Sequence, residues 1–324
     1  MKDSVLVTSA GRRASLLNAF IQAAAHRDWQ VFAGDHDALA PTLYLAHRGI
    51  RLPAIQSSGY IEYLLRIVED EAVRLIVPTI DTELLPLAQN AARFKQGRCT
   101  ALISSPEFIT IAADKWLTVQ FFAAKGIAVP ASWLPGEFVE SDLPGDLFLK
   151  PRNGSASKDA FAVNRDSLLR MLPCVPNAII QERIAGDEIT VDALLDLEGR
   201  PIHFVPRRRI RTLGGESIQG VTIDDSALRS WLLQILEAAS QVGAIGPLTI
   251  QAFLTPEGPV LTEINPRFGG GFPLTRAAGG DYPAWILNAI NGERLDACFG
   301  NFRRNLYMSR YYVEYFAESL LWEQ

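Results

Sequence analysis

Residues 251–271 read QAFLTPEGPVLTEINPRFGGG, and the way this stretch turns back on itself decides how the chain is organised. Thr249, Gln251 and Phe253 alternate along one extended segment, and Leu261, Glu263 and Asn265 alternate along the next. Between them Thr255-Pro256-Glu257-Gly258-Pro259 is dense in turn formers. A turn centred on Glu257 sets Gln251 opposite Glu263 and Thr249 opposite Asn265. Residues two apart on a strand share a face, so Gln251, Glu263 and Asn265 project together as three oxygen donors with one formal negative charge. That set suits a hard cation, Mg2+ or Mn2+ in its place, which completes its shell with water and phosphate. Arg267 follows two residues on, placed to meet an anion beside the metal. Buried, such a face is costly without a ligand to pair it. An ordinary hairpin with a solvated polar side shows the same alternation, and the rest of the chain decides between the two.

At 324 residues and 48% hydrophobic, the chain can bury a large core divided among two or three domains or subdomains. The net charge of −5 gives no global basic field, so a nucleic-acid partner is not expected. Cys99, Cys174 and Cys298 are odd in number and far apart, which excludes a disulfide framework, fits a reducing compartment and marks them as small core residues. The four histidines form no metal-binding cluster, so zinc is not expected. No apolar run approaches the roughly 18 residues that span a bilayer. The apolar Val5-Leu6-Val7 ends at Thr8, with Arg12-Arg13 soon after, which is not a signal peptide. A cytoplasmic protein without a membrane partner is the expectation.

In the N-terminal third, strands over 4–8, 29–33, 75–77 and 100–103 alternate with helical periodicity, including a helix over 83–94. Alternation of this kind indicates βαβ units and a mostly parallel sheet. A dinucleotide-binding reading, with Asp35 as the ribose acid, fails because only Gly11 follows the first strand where G-x-G-x-x-G is required. Arg12 and Arg13 at a helix N-terminus suit a carboxylate or phosphate, or are surface arginines. Beyond Pro106, Asp114 is an N-cap for a helix over 115–125 that ends at Gly126. Lys150 closes a strand, and the small-residue loop 153–158 with Lys158 connects to a returning strand over 161–163, an arrangement able to fold over a polyphosphate. Arg207, Arg209 and Arg211 alternate on one face with no acid within the run, which points to an anionic ligand. A helix is expected over 227–242 and a last one over 282–291. The aromatic tail 302–322 is β-like over 306–313 and is expected to pack on the body.

Taken in order, these pieces resemble the ATP-grasp superfamily, near the carbamoyl-phosphate-synthase-like branch of stand-alone ligases with a single grasp. The resemblance runs end to end. It implies a mixed α/β and α+β architecture: a Rossmann-like, parallel-sheet pre-ATP-grasp domain over 1–107, a small grasp subdomain with the phosphate lid over 108–186, and a C-terminal grasp subdomain with the metal site over 187–324. It further implies that Lys115 and Lys150 contact nucleotide phosphates and that the loop with Ser155, Ser157 and Lys158 covers them. Glu182, Arg183 and Ile184 fall at the hinge beside the adenine, and Glu188 at the ribose hydroxyls. Gln251, Glu263 and Asn265 match the Mg2+ ligands, and Arg267 and Arg209, with Lys150, the groups facing the transferred phosphoryl group and substrate. Ala156 and Asp159 make the phosphate loop poorer in glycine than in many members, and Gln251 stands where many relatives carry an acid.

The implied activity is ATP-dependent ligation of a carboxylate to an amine through an acyl phosphate, releasing ADP and phosphate. Its substrates are small molecules, amino acids among them, and homodimers are common in relatives. The alternatives are activation of bicarbonate or another small acid, and a protein that holds ATP without turnover.

Overall fold

Apolar strands and amphipathic helices alternate through the N-terminal third and build one parallel sheet. The structure, a computed structural model, describes residues 2–154, 159–213 and 216–320. Strands β1 (Ser4–Thr8), β2 (Gln30–Asp35), β3 (Arg48–Arg51), β4 (Val73–Pro78) and β5 (Thr100–Ala101) lie in the order β3-β2-β1-β4-β5, all parallel. The central strand β1 is buried along its length, as a strand covered on both faces must be. The order of connection reverses between β1 and β4, so the loops after these two strands flank a crevice at the carboxyl edge of the sheet. Strand β3 is absent from the sequence reading, because in RGIR only Ile50 is buried and no period is left to detect. The helix expected over 83–94 is split at Asn90 into Leu84–Gln89 and Ala91–Gln96.

A second, antiparallel sheet follows: β6 (Ser132–Trp133), β7 (Asp146–Pro151), β8 (Phe161–Asn164) and β9 (Ala178–Glu182), in the order β6-β9-β7-β8. Leu147, Leu149, Val163 and Ile180 pack with Leu168 of the helix Arg165–Met171 to give it a small core. Asp114 caps the helix Lys115–Ala124, accepting from the Trp116 N–H at 2.9 Å, and Gly126 ends it with φ +74°.

The third sheet consists of β10 (Asp187–Leu195), β11 (Pro201–Leu213), β12 (Glu216–Thr222), β13 (Gly246–Thr255), β14 (Gly258–Asn265) and β15 (Tyr307–Ser309), in the order β14-β13-β10-β11-β12-β15. Its pairs are antiparallel. One face, with Ile189, Val191, Ile250 and Ile264, packs on Leu232, Ile235 and Leu236 of the helix Arg229–Gln241. The first and third sheets share a core, in which Val5, Leu17 and Phe20 are continuous with Phe268, Phe272, Tyr282 and Leu287. Phe20 and Phe268 meet edge to face at 5.9 Å.

The β13–β14 hairpin pairs Gln251 with Glu263 and Thr249 with Asn265. Its turn is tighter than one centred on Glu257, since Thr255 pairs with Gly258. A bulge restores the register: Ala252 pairs with Leu261, Gln251 with Glu263, and Thr262 is the extra residue. Leu261 therefore joins the core with Ile264 instead of sharing a face with Glu263 and Asn265, which corrects the alternation expected for it.

The C-terminal tail also departs from expectation. Among the described residues of the tail, Tyr307–Ser309 pairs with β12, and Tyr311, Tyr312, Val313 and Phe316 are exposed. Tyr315 lies against Tyr44 with ring centroids 5.1 Å apart. Cys174 is exposed, not a core residue, whereas Cys99 is buried and its thiol is pushed up to about 12 by desolvation. Among the described residues no helix is long and apolar enough to cross a membrane.

Candidate active site

The face of the third sheet opposite its apolar layer is polar by simple alternation. Glu188, Thr190 and Asp192 on β10 share it with Arg207 and Arg209 on β11, Thr249 and Gln251 on β13, and Glu263 and Asn265 on β14, as the pairings Thr190–Gln251, Thr190–Arg207 and Gln251–Glu263 require. The three expected metal donors thus stand on two adjacent strands. Asn265 Nδ2 donates to Glu263 Oε1 at 2.8 Å, which orients the carboxamide and leaves its oxygen as an acceptor. One carboxylate with two amide oxygens is an all-oxygen donor set of low charge. It fits a divalent cation that also carries water and phosphate; among the described residues no group of three His, Cys, Asp or Glu side chains could hold a metal.

Two lysines come from the small sheet and the helix before it. Lys150, at the end of β7, lies within electrostatic reach of both Glu263 and Lys115. Burial pushes the Lys150 ammonium down to about 8; the Glu263 carboxylate opposes the shift and Lys115 adds to it. Lys115 donates to the Gly154 carbonyl oxygen at 2.8 Å, holding the base of the loop expected to cover phosphates. Ser155, Ser157 and Lys158 of that loop lie outside the described residues, as do Gly214 and Gly215. The base itself is fixed from the other side, where Arg152 makes a two-pronged contact with Asp114 at 2.6 and 3.1 Å.

Other expected site residues are engaged with the protein. Glu182 Oε1 accepts from the Ala131 N–H at 2.9 Å, tying β9 to the segment before β6. Arg183 is exposed, and its N–H donates to the Asp146 carbonyl oxygen, while Ile184 is half-buried. Glu188 and Arg209 form an ion pair.

The arginine stripe on β11 is not the unopposed positive field expected of it. Acids come from the neighbouring strand: Arg207 pairs with Asp192 at 3.1 Å, both side chains only 3% exposed, and Arg208 pairs with Asp187. A reading along the run alone could not see them. An irregularity at Ile210 also sets Arg211 opposite Gln219, next to Arg209's partner Gly220, so Arg211 leaves the shared face. The Arg207–Asp192 pair is roofed by the glycine loop after the hairpin. A Cβ on Gly271 would lie 2.1 Å from Arg207 Cζ, and one on Gly269 2.8 Å from Asp192 Oδ1. These glycines serve close backbone approach to a buried ion pair.

Arg267 is held across the molecule. Its Nε and Nη2 donate to the two carboxylate oxygens of Asp81 at 2.7 and 2.8 Å, and its Nη1 to the Phe268 carbonyl oxygen at 3.2 Å. Asp81 follows β4. Its partner lies 186 residues away, so local sequence carried no signal of the contact. The segment before it is fixed by Glu83, which is fully buried, accepts from the Thr79 N–H at 2.9 Å and the Tyr60 hydroxyl at 3.0 Å, and has its carboxyl raised by desolvation.

Residues 5–102 match the family model "PylC-like, N-terminal domain", and residues 175–308 match "ATP-grasp in the biosynthetic pathway with Ter operon". A D-alanine–D-alanine ligase of Marinomonas sp. (strain MWYL1) is 29% identical over 147 residues, which is 40% of this chain and 46% of the ligase, so the match spans less than half of that relative. The biotin carboxylase domain of Hydrogenobacter thermophilus 2-oxoglutarate carboxylase, solved with MgADP, ADP and bicarbonate, superposes with a TM-score of 0.75 at 16% identity, covering 94% of this chain and 73% of that one. The N5-carboxyaminoimidazole ribonucleotide synthetase of Thermus thermophilus gives 0.71 at 17% identity over 90% and 79%. These solved structures share the fold of this chain, a parallel sheet placed before two antiparallel sheets, and residues 175–308 belong to an ATP-grasp family domain.

Proposed function

We propose that the protein is an ATP-dependent carboxylate–amine ligase that forms an amide or peptide bond through an acyl phosphate and releases ADP and phosphate. The observation that carries this reading is Lys150 within electrostatic reach of both Glu263, on the polar face of the third sheet, and Lys115. Lys115 and Lys150 hold the nucleotide phosphates, and Glu182, Arg183, Ile184 and Glu188 line its adenosine end. Gln251, Glu263 and Asn265 hold Mg2+, which when bound supplies charge neutralisation at the terminal phosphates. The lysines spread the negative charge of the transferring group, and Arg267 with Arg209 orients the acid and its acyl phosphate. No side-chain nucleophile is needed. The substrates are a small carboxylic acid and a small amine, and the domain limits at 107 and 186 separate the substrate-binding, lid and metal-bearing parts.

The test is an ADP-release screen over amino acids and dipeptides with the product mass measured. An amide product with ADP and phosphate in equal amounts is expected. AMP and pyrophosphate, or nucleotide binding without turnover under any acid-plus-amine mixture, would overturn it. ADP release that depends on bicarbonate alone would replace it with the bicarbonate-activating reading, which the bicarbonate complex of the Hydrogenobacter enzyme keeps in view.

A further inference from the structure

Arg267 is tied down at its backbone by its own sheet. Its N–H donates to the carbonyl oxygen of Asn265, one of the three candidate metal donors, at 2.9 Å, and Thr249 Oγ1 donates to its carbonyl oxygen at 3.0 Å. A long side chain on a fixed backbone can still swing. What stops it here comes from the first sheet. Asp81 opens the short turn Asp81–Glu83 after β4, and its carboxylate takes the guanidinium side-on, one oxygen on Nε at 2.7 Å and the other on Nη2 at 2.8 Å. Nη1 donates to the Phe268 carbonyl oxygen at 3.2 Å, and that oxygen also accepts from Arg13 Nη1 at 3.2 Å. Three of the five guanidinium donors are thereby used; one N–H on each terminal nitrogen has no partner among the described residues.

Asp81 is itself held firmly. The buried Glu83 accepts from the Thr79 and Ile80 N–H groups at 2.9 and 3.4 Å and from the Tyr60 hydroxyl at 3.0 Å. Thr79 Oγ1 donates to the Ser9 carbonyl oxygen at 2.5 Å, which fastens this segment to the loop after β1. The Arg267 side chain is 11% exposed and that of Asp81 32%, so the pair is largely shielded from water. A guanidinium gripped through one edge by both oxygens of a carboxylate has its plane fixed. Orientation set before the reaction is what charge stabilisation in a transition state requires.

We infer that Asp81 is a positioning residue: it holds the Arg267 guanidinium in the plane in which its two remaining N–H groups meet the phosphoryl group leaving the nucleotide. The inference rests on the ligase reading and adds to it a part played by the first sheet. The lysines and the oxygen donors come from the second and third sheets and the helix before them, whereas Asp81 makes the arginine's orientation depend on how the first sheet packs against the third. The sign of the effect separates positioning from charge. Removing a carboxylate beside a guanidinium raises the local positive charge, and by charge alone a phosphate would bind more tightly. If orientation governs, it binds more weakly.

The experiment is calorimetric titration of the MgADP-bound protein with inorganic phosphate, the second product of the proposed reaction. Asp81→Asn keeps the shape of the side chain but offers one acceptor oxygen and sets an NH2 against the other guanidinium N–H. It should weaken phosphate by about tenfold or more and leave MgADP affinity within about twofold. Asp81→Glu, which keeps both oxygens on a longer arm, should fall between Asp81→Asn and wild type, and it carries the test should Asp81→Asn not fold. In an Arg267→Met background Asp81→Asn should cost no further phosphate affinity, because nothing is left to position. Phosphate bound as tightly or more tightly by Asp81→Asn, an undiminished further loss in the Arg267→Met background, an equal weakening of MgADP, or no phosphate taken up by the wild-type MgADP complex would each overturn the inference. If MgADP itself fails to bind the wild-type protein, the ligase reading falls instead.

Discussion

Binding of MgADP should draw a proton onto the protein, and the amount follows from one lysine. Lys150 is pushed down to about 8 by burial, with Lys115 adding to the shift and Glu263 holding part of it back. A lowered ammonium loses its proton as pH rises through that value. At pH 8 about half of the unliganded molecules carry an uncharged Lys150, at pH 9 about nine in ten and at pH 7 about one in ten. A phosphate oxygen beside the amine favours the charged form and returns it towards the ordinary lysine value of about 10.4. Proton uptake from this group should therefore be about 0.1 per site at pH 7, 0.5 at pH 8 and 0.9 at pH 9. Titration calorimetry in two buffers of different ionisation enthalpy measures it directly. Lys150→Met, which keeps the length of the side chain, should remove the pH-dependent part. Uptake that stays below about 0.2 at pH 9, or that persists unchanged in Lys150→Met, refutes the assignment of Lys150 to the phosphates. The same shift has a second consequence. Between about pH 8 and pH 10.4 the unfolded chain holds more protons at this position than the folded one, so its contribution to stability rises with pH across that window.

Glu263→Gln should cut turnover steeply at low Mg2+ while moving the melting temperature little, because the amide keeps the hydrogen bond from Asn265; full activity at low Mg2+ would contradict the metal role. Gly271→Ala should destabilise by about 3–5 kcal/mol, since the added methyl displaces the Arg207 guanidinium and leaves Asp192 buried without its partner. Urea denaturation reads it, and a loss under about 1 kcal/mol would mean that Arg207 can retreat without breaking the pair. Asp114→Ala removes both a helix cap and the anchor of Arg152, and about 1–2 kcal/mol should be lost, with faster proteolysis at the loop that Arg152 supports.

The parallel sheet, the capped helix after Asp114 and the hairpin with its three oxygen donors could be read from the sequence, because each is set by local period or turn chemistry. The pairing of Gln251 with Glu263 emerged correctly from a turn placed too far along, since the bulge at Thr262 made up the difference. What could not be read depends on partners distant in sequence. Asp192 and Glu188 neutralise arginines 15 and 21 residues downstream on an adjacent strand, and Asp81 meets Arg267 only once the first and third sheets share a core. Strand β3 and the short β15 owe their structure to an existing sheet edge more than to their own residues. The aromatic tail was expected to pack because it is apolar, but past Arg310, whose N–H still donates to the Ile218 carbonyl oxygen, Tyr311, Tyr312, Val313 and Phe316 are exposed.

The spare residue at Thr262 works as a phase adjuster. It lets the outer half of the hairpin answer to the oily layer through Leu261, and the inner half to the cleft through Glu263 and Asn265. Tip and cleft are thereby decoupled. Insertions at Pro256-Glu257 would lengthen a solvent-facing finger without rotating the donors. Paired as an ordinary ladder residue, Thr262 would take the place opposite Gln251, turning Glu263 into the apolar layer and Ile264 out towards the cleft, whereas deleting Thr262 would keep Leu261 in the layer and Glu263 opposite Gln251.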